Sequence, residues 1–355
     1  MGAQERLAAI AARVEPHIEA LFAEETDRWS RIDSELVAPL EVLRRLVVQG
    51  GKRLRPAFCY WGFVAGGGAS AGADDVVRLE RAAAAFELLH AFALIHDDVM
   101  DDAAQRRGIT TAHIEYAGLH AAGEWRGEQR RFGESIAILL GDLAHVYAEQ
   151  LMTSAQPGPT AATLWRDLQT ELMMGQYLDV VGTARADRSP DRARLIALLK
   201  SGRYTIERPL QLGAALVDAS AEMQKTLHGY GAPLGEAFQL RDDMLGAFGH
   251  PDVVGKPVGS DLREGKPTPL LAHAVANGSA AQRARLQLVG TEGLTERDID
   301  ELQYILVATG AQTAMEQRIR RLVDEAIRAI DVDQVPSTAR VALIDLAHFV
   351  SDREH

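Results

Sequence analysis

The chain has 355 residues, 47% of them apolar, a formal net charge of −12 and one cysteine, Cys59. That apolar content excludes global disorder, and the length suits one large domain or two. The acidic balance excludes nucleic acid as a general partner, and a single cysteine excludes an intramolecular disulfide, in keeping with a reducing cytoplasm.

The first predicted element is ERLAAIAARVEPHIEALF (5–22), whose apolar residues recur at spacings of three and four. It reads as an amphipathic helix, not as a signal peptide. Gly2 fits a myristoylation start, but Arg6 stands where that signal needs Ser or Thr. No apolar run approaches the ~20 residues that span a bilayer. Next, GGKRLRP (50–56) sets Lys52, Arg53 and Arg55 beside glycines, and GGGASAG (66–72) reads as a loop.

A helix is predicted over residues 75–102, ~40 Å long at the usual rise. Its middle, RAAAAFELLHAFALI, is apolar almost all round and should be buried. Four aspartates, Asp97, Asp98, Asp101 and Asp102, crowd its C-terminal end, where the helix dipole is already negative. That mismatch points to a compensating cation. Asp97 and Asp101 are four residues apart and share a face, with Asp98 offset by roughly 100°. Such carboxylates suit Mg²⁺, which takes one or two of them per ion and leaves room for water and phosphate. Taken alone, the same pattern fits a solvated helix end equally well.

Further helical patterns are ATLWRDLQTELMMGQYLDVV (162–181) and ARLIALLKSGRYTIERPLQLGAAL (193–216), after a loop at SAQPGPT (154–160). AFQLRDDMLGAFG (237–249) is another apolar helix with paired aspartates, Asp242 and Asp243. The stretch GHPDVVGKPVGSDLREGKPTP (249–269) reads as a long loop carrying Lys256, Asp261, Arg263 and Lys266; long ordered loops are more often functional than idle. The last pattern is DIDELQYILVATGAQTAMEQRIRRLVDEAIRAI (298–330). Beyond about residue 280 there is no motif, and this third is expected to support the helical core. Strand-like alternation is scarce, so the prediction is an all-α single domain over residues 1–355 with roughly a dozen or more helices.

There is no P-loop, no G-x-S-x-G, no H-E-x-x-H and no zinc spacing. Two acidic sets with three basic sets, the third being Arg106 and Arg107 just after the first aspartates, suit a substrate that carries several phosphates held by metal. Arginine grips phosphate with a planar fork, and lysine acts as a point charge.

Taken in order, GGKRLRP, ELLHAFALIHDDVMDDAAQRRG, LLGDL, GQYLD, KSGRYT and FQLRDDMLG…GKPVGSDLREGKPT resemble the trans-isoprenyl diphosphate synthases over about residues 40–275. DDMLGAFG and the long segment EYAGLHAAGEWRGEQRRFGESIAILLGDL look like the actinobacterial geranylgeranyl diphosphate synthases. The resemblance implies a helical bundle of the isoprenoid synthase type around a central active-site cavity, working as a cytoplasmic homodimer. It implies head-to-tail condensation of isopentenyl diphosphate with an allylic diphosphate, the latter held by three Mg²⁺ ions between the two acidic sets. The allylic carbon–oxygen bond ionises, the double bond of isopentenyl diphosphate attacks the cation, and a proton passes to the released diphosphate.

By the same resemblance, Asp97, Asp101 and Asp242 bind metal directly, and Asp98 and Asp243 support them. Arg106, Lys200 and Lys256 touch the allylic diphosphate. Lys52, Arg55, His90 and Arg107 hold isopentenyl diphosphate. Ser201, Gln239 and Lys266 assist, as do Gln176 and Asp179. Without the family, His90 reads as a core histidine. Met173, Met174 and Tyr177 suit core packing at least as well as a hydrocarbon tunnel, and His96, Asp102 and Asp142 read as structural.

Phe92 lies five residues before Asp97, ~7.5 Å lower along the helix. Beside it is the small Ala93, with Leu89 and Phe86 deeper. This pairing resembles the twenty-carbon producers, so the expected product is geranylgeranyl diphosphate, with farnesyl diphosphate as the alternative. The chain departs from the family pattern at Gly246, where a third aspartate is common, at His250, and at Thr110, where Pro is common. Two other classes compete. A class I terpene cyclase holds one diphosphate and would not need GGKRLRP, and its second metal motif is missing. A silent partner subunit would commonly have lost an acidic cluster or the basic set, and this chain keeps them.

Overall fold

The computed structural model describes residues 2–48, 51–106, 108–249 and 258–352. Among the described residues the chain is helical apart from one small ribbon, in which Gln105–Arg106 pairs antiparallel with Ile109–Thr110. The all-α expectation holds. No described helix is long and apolar enough to cross a membrane. The chain divides into two compact units, residues 1–161 with 212–219, and residues 162–211 with 220–355.

In the first unit, α1 (Ala3–Ser30), α2 (Val37–Val48), α3 (Leu54–Ala65), α4 (Ala73–Met100), α5 (Ala112–Ala122) and α6 (Gln129–Ser154) follow one another. α4 is the centre, packed by α1, α3 and α6. Its apolar middle is inside, with Phe86, Leu88 and Leu89 fully buried against a core that includes Ile18, Phe22 and Phe58. Each such side chain contributes about 1.5–3 kcal/mol by leaving water. That burial fixes the long axis whose C-terminal end carries the aspartates. α4 stops at Met100, earlier than its charge pattern suggests. Asp101 caps it, and Asp102 turns into the left-handed region at φ 52°.

The second unit holds most of α7 (Pro159–Ala184), α8 (Pro190–Ala197), a π-helix (Leu198–Glu207), the first part of α9 (Arg208–Ala215), and α10 (Ala221–Phe248). The sequence pattern over 193–216 predicts a plain helix; the wider π winding in its middle is not encoded in that pattern. The expected loop over 249–269 contains a short helix, α11 (Ser260–Glu264). The pattern over 298–330 breaks into Glu296–Ala308 and Ala311–Ile330, because Gly310 adopts φ 74°.

α10 is the centre of this unit, and the motif-free C-terminal third supports it. Arg241 forks onto Glu316 at 2.6 and 3.0 Å and donates to the Ser351 carbonyl at 2.8 Å. The Tyr230 hydroxyl donates to the Leu343 carbonyl at 2.7 Å. Glu236, only 4% exposed, accepts from both Arg194 and Arg318. These contacts hold the helix that carries Asp242 and Asp243.

Candidate active site

In the first unit the acidic set sits where α4 runs out. The Asp101 amide donates to the Asp97 carbonyl at 2.8 Å, which keeps Asp101 one turn above Asp97 although it ends the helix. The chain then returns through the ribbon and brings Arg106 back to the carboxylates. Arg106 Nε donates to Asp98 Oδ1 at 2.6 Å, and its Nη2 donates to Asp97 Oδ2 at 2.9 Å. Burial disfavours the charged guanidinium, but Asp98, Asp97 and Asp101 outweigh it and hold the Arg106 pKa above the usual arginine value. This end of α4 is therefore a place where carboxylates are held together by a positive charge.

GGKRLRP divides by direction. Lys52 is exposed and Arg55 is largely buried. Arg53 turns inward to Glu87 and to the carbonyls of Val47 and Val48. His90 is half-buried on α4. Phe92 is 7% exposed, its ring edge-on to His96 at 4.8 Å and tilted against His145 of α6 at 5.0 Å. Leu89 is fully buried and Ala93 half-buried. His96 also lies 3.0 Å from the Ile138 carbonyl and 3.7 Å from Asp142.

In the second unit two close backbone approaches build the site. A Cβ on Gly175 of α7 would lie 2.4 Å from the Lys200 amide nitrogen, so only glycine lets α7 lie on the π-helix. Gly202 and Gly235 make the matching approach between the π-helix and α10. Lys200 is thereby set beside α7, where its Nζ meets Asp179 Oδ2 at 2.5 Å. Ser201 is half-buried next to it.

On α10, Gln239 Nε2 donates to Asp243 Oδ1 at 2.7 Å, while Asp243 Oδ2 is buried without a hydrogen bond among the described residues. Burial, then Asp261, Asp242 and Asp179, push the Asp243 pKa well above the usual carboxylate range, against the Gln239 bond. Lys266 Nζ pairs with Glu264 at 2.6 Å. A Cβ on Gly246 would lie 2.1 Å from Asp261 Oδ2, so the Asp261 carboxylate covers the position where the family pattern commonly has a third aspartate. The sequence shows Asp261 only as one charge in a loop. Arg107, Lys256 and His250 lie outside the described residues. Met173, Met174 and Tyr177 are exposed, which removes the core-packing reading for them.

Both sets offer hard oxygen donors, with mutual repulsion in the second and a buried oxygen there that has no hydrogen bond among the described residues, and they fit a divalent cation such as Mg²⁺. Among the described residues no three His, Cys, Asp or Glu side chains are grouped to hold a metal by themselves. Mg²⁺ commonly binds through one or two carboxylates and completes its shell with water and substrate phosphate.

The family described as polyprenyl synthetase matches residues 38–306. A geranylfarnesyl diphosphate synthase of Aeropyrum pernix is 33% identical over 288 residues, covering 79% of this chain and 83% of that protein. A (2E,6E)-farnesyl diphosphate synthase of Mycobacterium tuberculosis is 32% identical over 310 residues, covering 86% of this chain and 80% of that protein. The crystal structure of a geranylgeranyl pyrophosphate synthase from Corynebacterium glutamicum, complexed with isoprenyl diphosphate and magnesium, superposes with a TM-score of 0.90 at 34% identity, covering 99% of this chain and 100% of that one.

Proposed function

Because the chain belongs to the polyprenyl synthetase family, we propose that it joins isopentenyl diphosphate head to tail to dimethylallyl, geranyl or farnesyl diphosphate, giving all-trans geranylgeranyl diphosphate. The observation that carries this reading is the fork of Arg106 on Asp97 and Asp98, which gathers carboxylates around positive charge at the end of α4. The magnesium in the Corynebacterium glutamicum complex supports the metal.

Asp97, Asp101 and Asp242 would hold Mg²⁺, three ions in this reading, with Asp98 and Asp243 in support. Bound Mg²⁺ supplies Lewis-acid stabilisation of the charge that grows on the leaving diphosphate. Arg106, Lys200 and Lys256 bind and orient the allylic diphosphate. Lys52, Arg55, His90 and Arg107 bind isopentenyl diphosphate. Ser201 and Lys266 assist, and Gln239 orients Asp243. The proton lost after carbon–carbon bond formation goes to the released diphosphate, so no side chain needs to be a strong base.

Phe92 is the floor for the growing tail, with Ala93 and Leu89 shaping the space around it. The relatives differ in their named products, and the Mycobacterium tuberculosis relative favours farnesyl diphosphate as a second reading. Residues 1–355 serve one reaction as a single synthase domain, in a cytoplasmic homodimer.

The test is incubation with Mg²⁺, isopentenyl diphosphate and each allylic starter in turn, with products identified by mass. Elongated diphosphates ending at twenty carbons are expected. Cyclic hydrocarbons without consumption of isopentenyl diphosphate, or no turnover at all, would replace this reading with a cyclase or a silent subunit.

A further inference from the structure

Arg53 stands between two side chains assigned to isopentenyl diphosphate, Lys52 and Arg55, yet its own charge is engaged elsewhere. Its side chain is 6% exposed. Nη1 donates to the Val47 carbonyl at 3.0 Å and Nη2 to the Val48 carbonyl at 3.1 Å. These are the last two carbonyls of α2, which lack intrahelical partners and sit at the negative end of its dipole. Nη1 also pairs with Glu87 of α4, itself 5% exposed, and Glu15 Oε1 of α1 lies 3.8 Å from Nη2. The backbone of Arg53 adopts φ 50°, a left-handed conformation that persists in a non-glycine residue when its surroundings over-determine it.

Glu87 precedes His90 by three residues, so the two are neighbours one turn apart on α4. The fork therefore ties the basic segment to the helix that presents the third group assigned to the same diphosphate. Neutralised by Glu87, Arg53 also leaves two cations, not three, on this segment for one diphosphate.

We propose that the buried Arg53–Glu87 pair is a positioning device for isopentenyl diphosphate, setting Lys52 and Arg55 in register with His90 without touching substrate. It rests on the assignment of those three residues to isopentenyl diphosphate. Its burial and its contacts with Glu87 and two carbonyls separate Arg53 from a third phosphate ligand.

Two variants test it. Arg53→Lys keeps the charge and loses the planar fork. Arg53→Met with Glu87→Leu replaces the pair by apolar side chains, which leaves no buried charge alone. Each is assayed with one substrate varied and the other saturating, alongside its thermal midpoint, with Lys52→Ala and Arg55→Ala as direct-contact controls. In both variants the KM for isopentenyl diphosphate should rise about tenfold or more, as misplacement of binding groups does. The KM for the allylic diphosphate should stay within about twofold, because the residues assigned to it lie outside this brace. Equal rises in both KM values, or a wild-type KM for isopentenyl diphosphate in either folded variant, would overturn the proposal. If neither control moves that KM, the site assignment fails first and the brace with it.

Discussion

Arg106 Nε donates to Asp98 Oδ1 across 2.6 Å, and the pair joins the ribbon after α4 to the last buried turn of that helix. The same guanidinium reaches Asp97, so the first two aspartates of the set are positioned before any ligand arrives. Preorganised charge of this kind costs no rearrangement during reaction. Asp97→Asn and Asp242→Asn should each lower kcat/KM about 10²-fold or more. A chelator should stop turnover and added Mg²⁺ should restore it; steady turnover under chelation would sink the metal assignment.

The Phe92 ring is locked between His96 and His145. Phe92→Ala should lengthen the products, measured as a shift in the mass distribution. His145→Ala should do so partially, since it removes one wall of the ring's setting. An unchanged distribution for Phe92→Ala would dismiss this residue as the floor.

Gly175→Ala places a methyl 2.4 Å from the Lys200 amide nitrogen and 2.7 Å from the Leu199 carbonyl carbon. Backbone cannot yield as a flexible side chain does, so α7 must move off the π-helix and the Lys200–Asp179 contact must open. Overpacking typically costs about 1–3 kcal/mol. A lowered thermal midpoint with a raised allylic KM is expected, and wild-type values for both would contradict the close approach.

Gly246→Asp looks like a return to the commoner family pattern, yet its Cβ would meet Asp261 Oδ2 at 2.1 Å. The new carboxylate would also join the crowd that already raises the Asp243 pKa. The substitution should weaken Mg²⁺ activation, seen as a higher Mg²⁺ concentration for half-maximal rate. A lower one would refute the account of Asp261.

His113 is 2% exposed, and neither ring nitrogen makes a hydrogen bond among the described residues. Burial holds its pKa below the usual 6.5, against the opposing pull of Asp102 and Glu134. The unfolded chain then binds a proton that the folded chain resists. The contribution of His113 to stability is complete above pH 6.5 and falls as pH drops through that value towards the lower folded pKa. His113→Phe should flatten the slope of thermal midpoint against pH between about 7.5 and 5.5. An unchanged slope would show that other groups set it.

How far the site was legible in the sequence follows from the range of the forces that build it. Local spacing alone determined the all-α class, the burial of the α4 middle, the shared face of Asp97 and Asp101, and the paired aspartates of α10, because helical periodicity acts over three or four residues. The order of motifs carried the family. Tertiary structure alone decided which charges face which. Arg53 turns inward to Glu87 while Lys52 is exposed, although the two are adjacent in sequence. Asp261 covers Gly246, Lys200 meets Asp179 through a glycine contact, and Glu236 is held from two sides. The winding of 198–207 into a π-helix belongs here too, since neighbours on α7 and α10 press on it through Gly175 and Gly235. A buried charge must find a partner, but its partner is chosen by packing between helices far apart in sequence, and residue spacing carries no record of that choice.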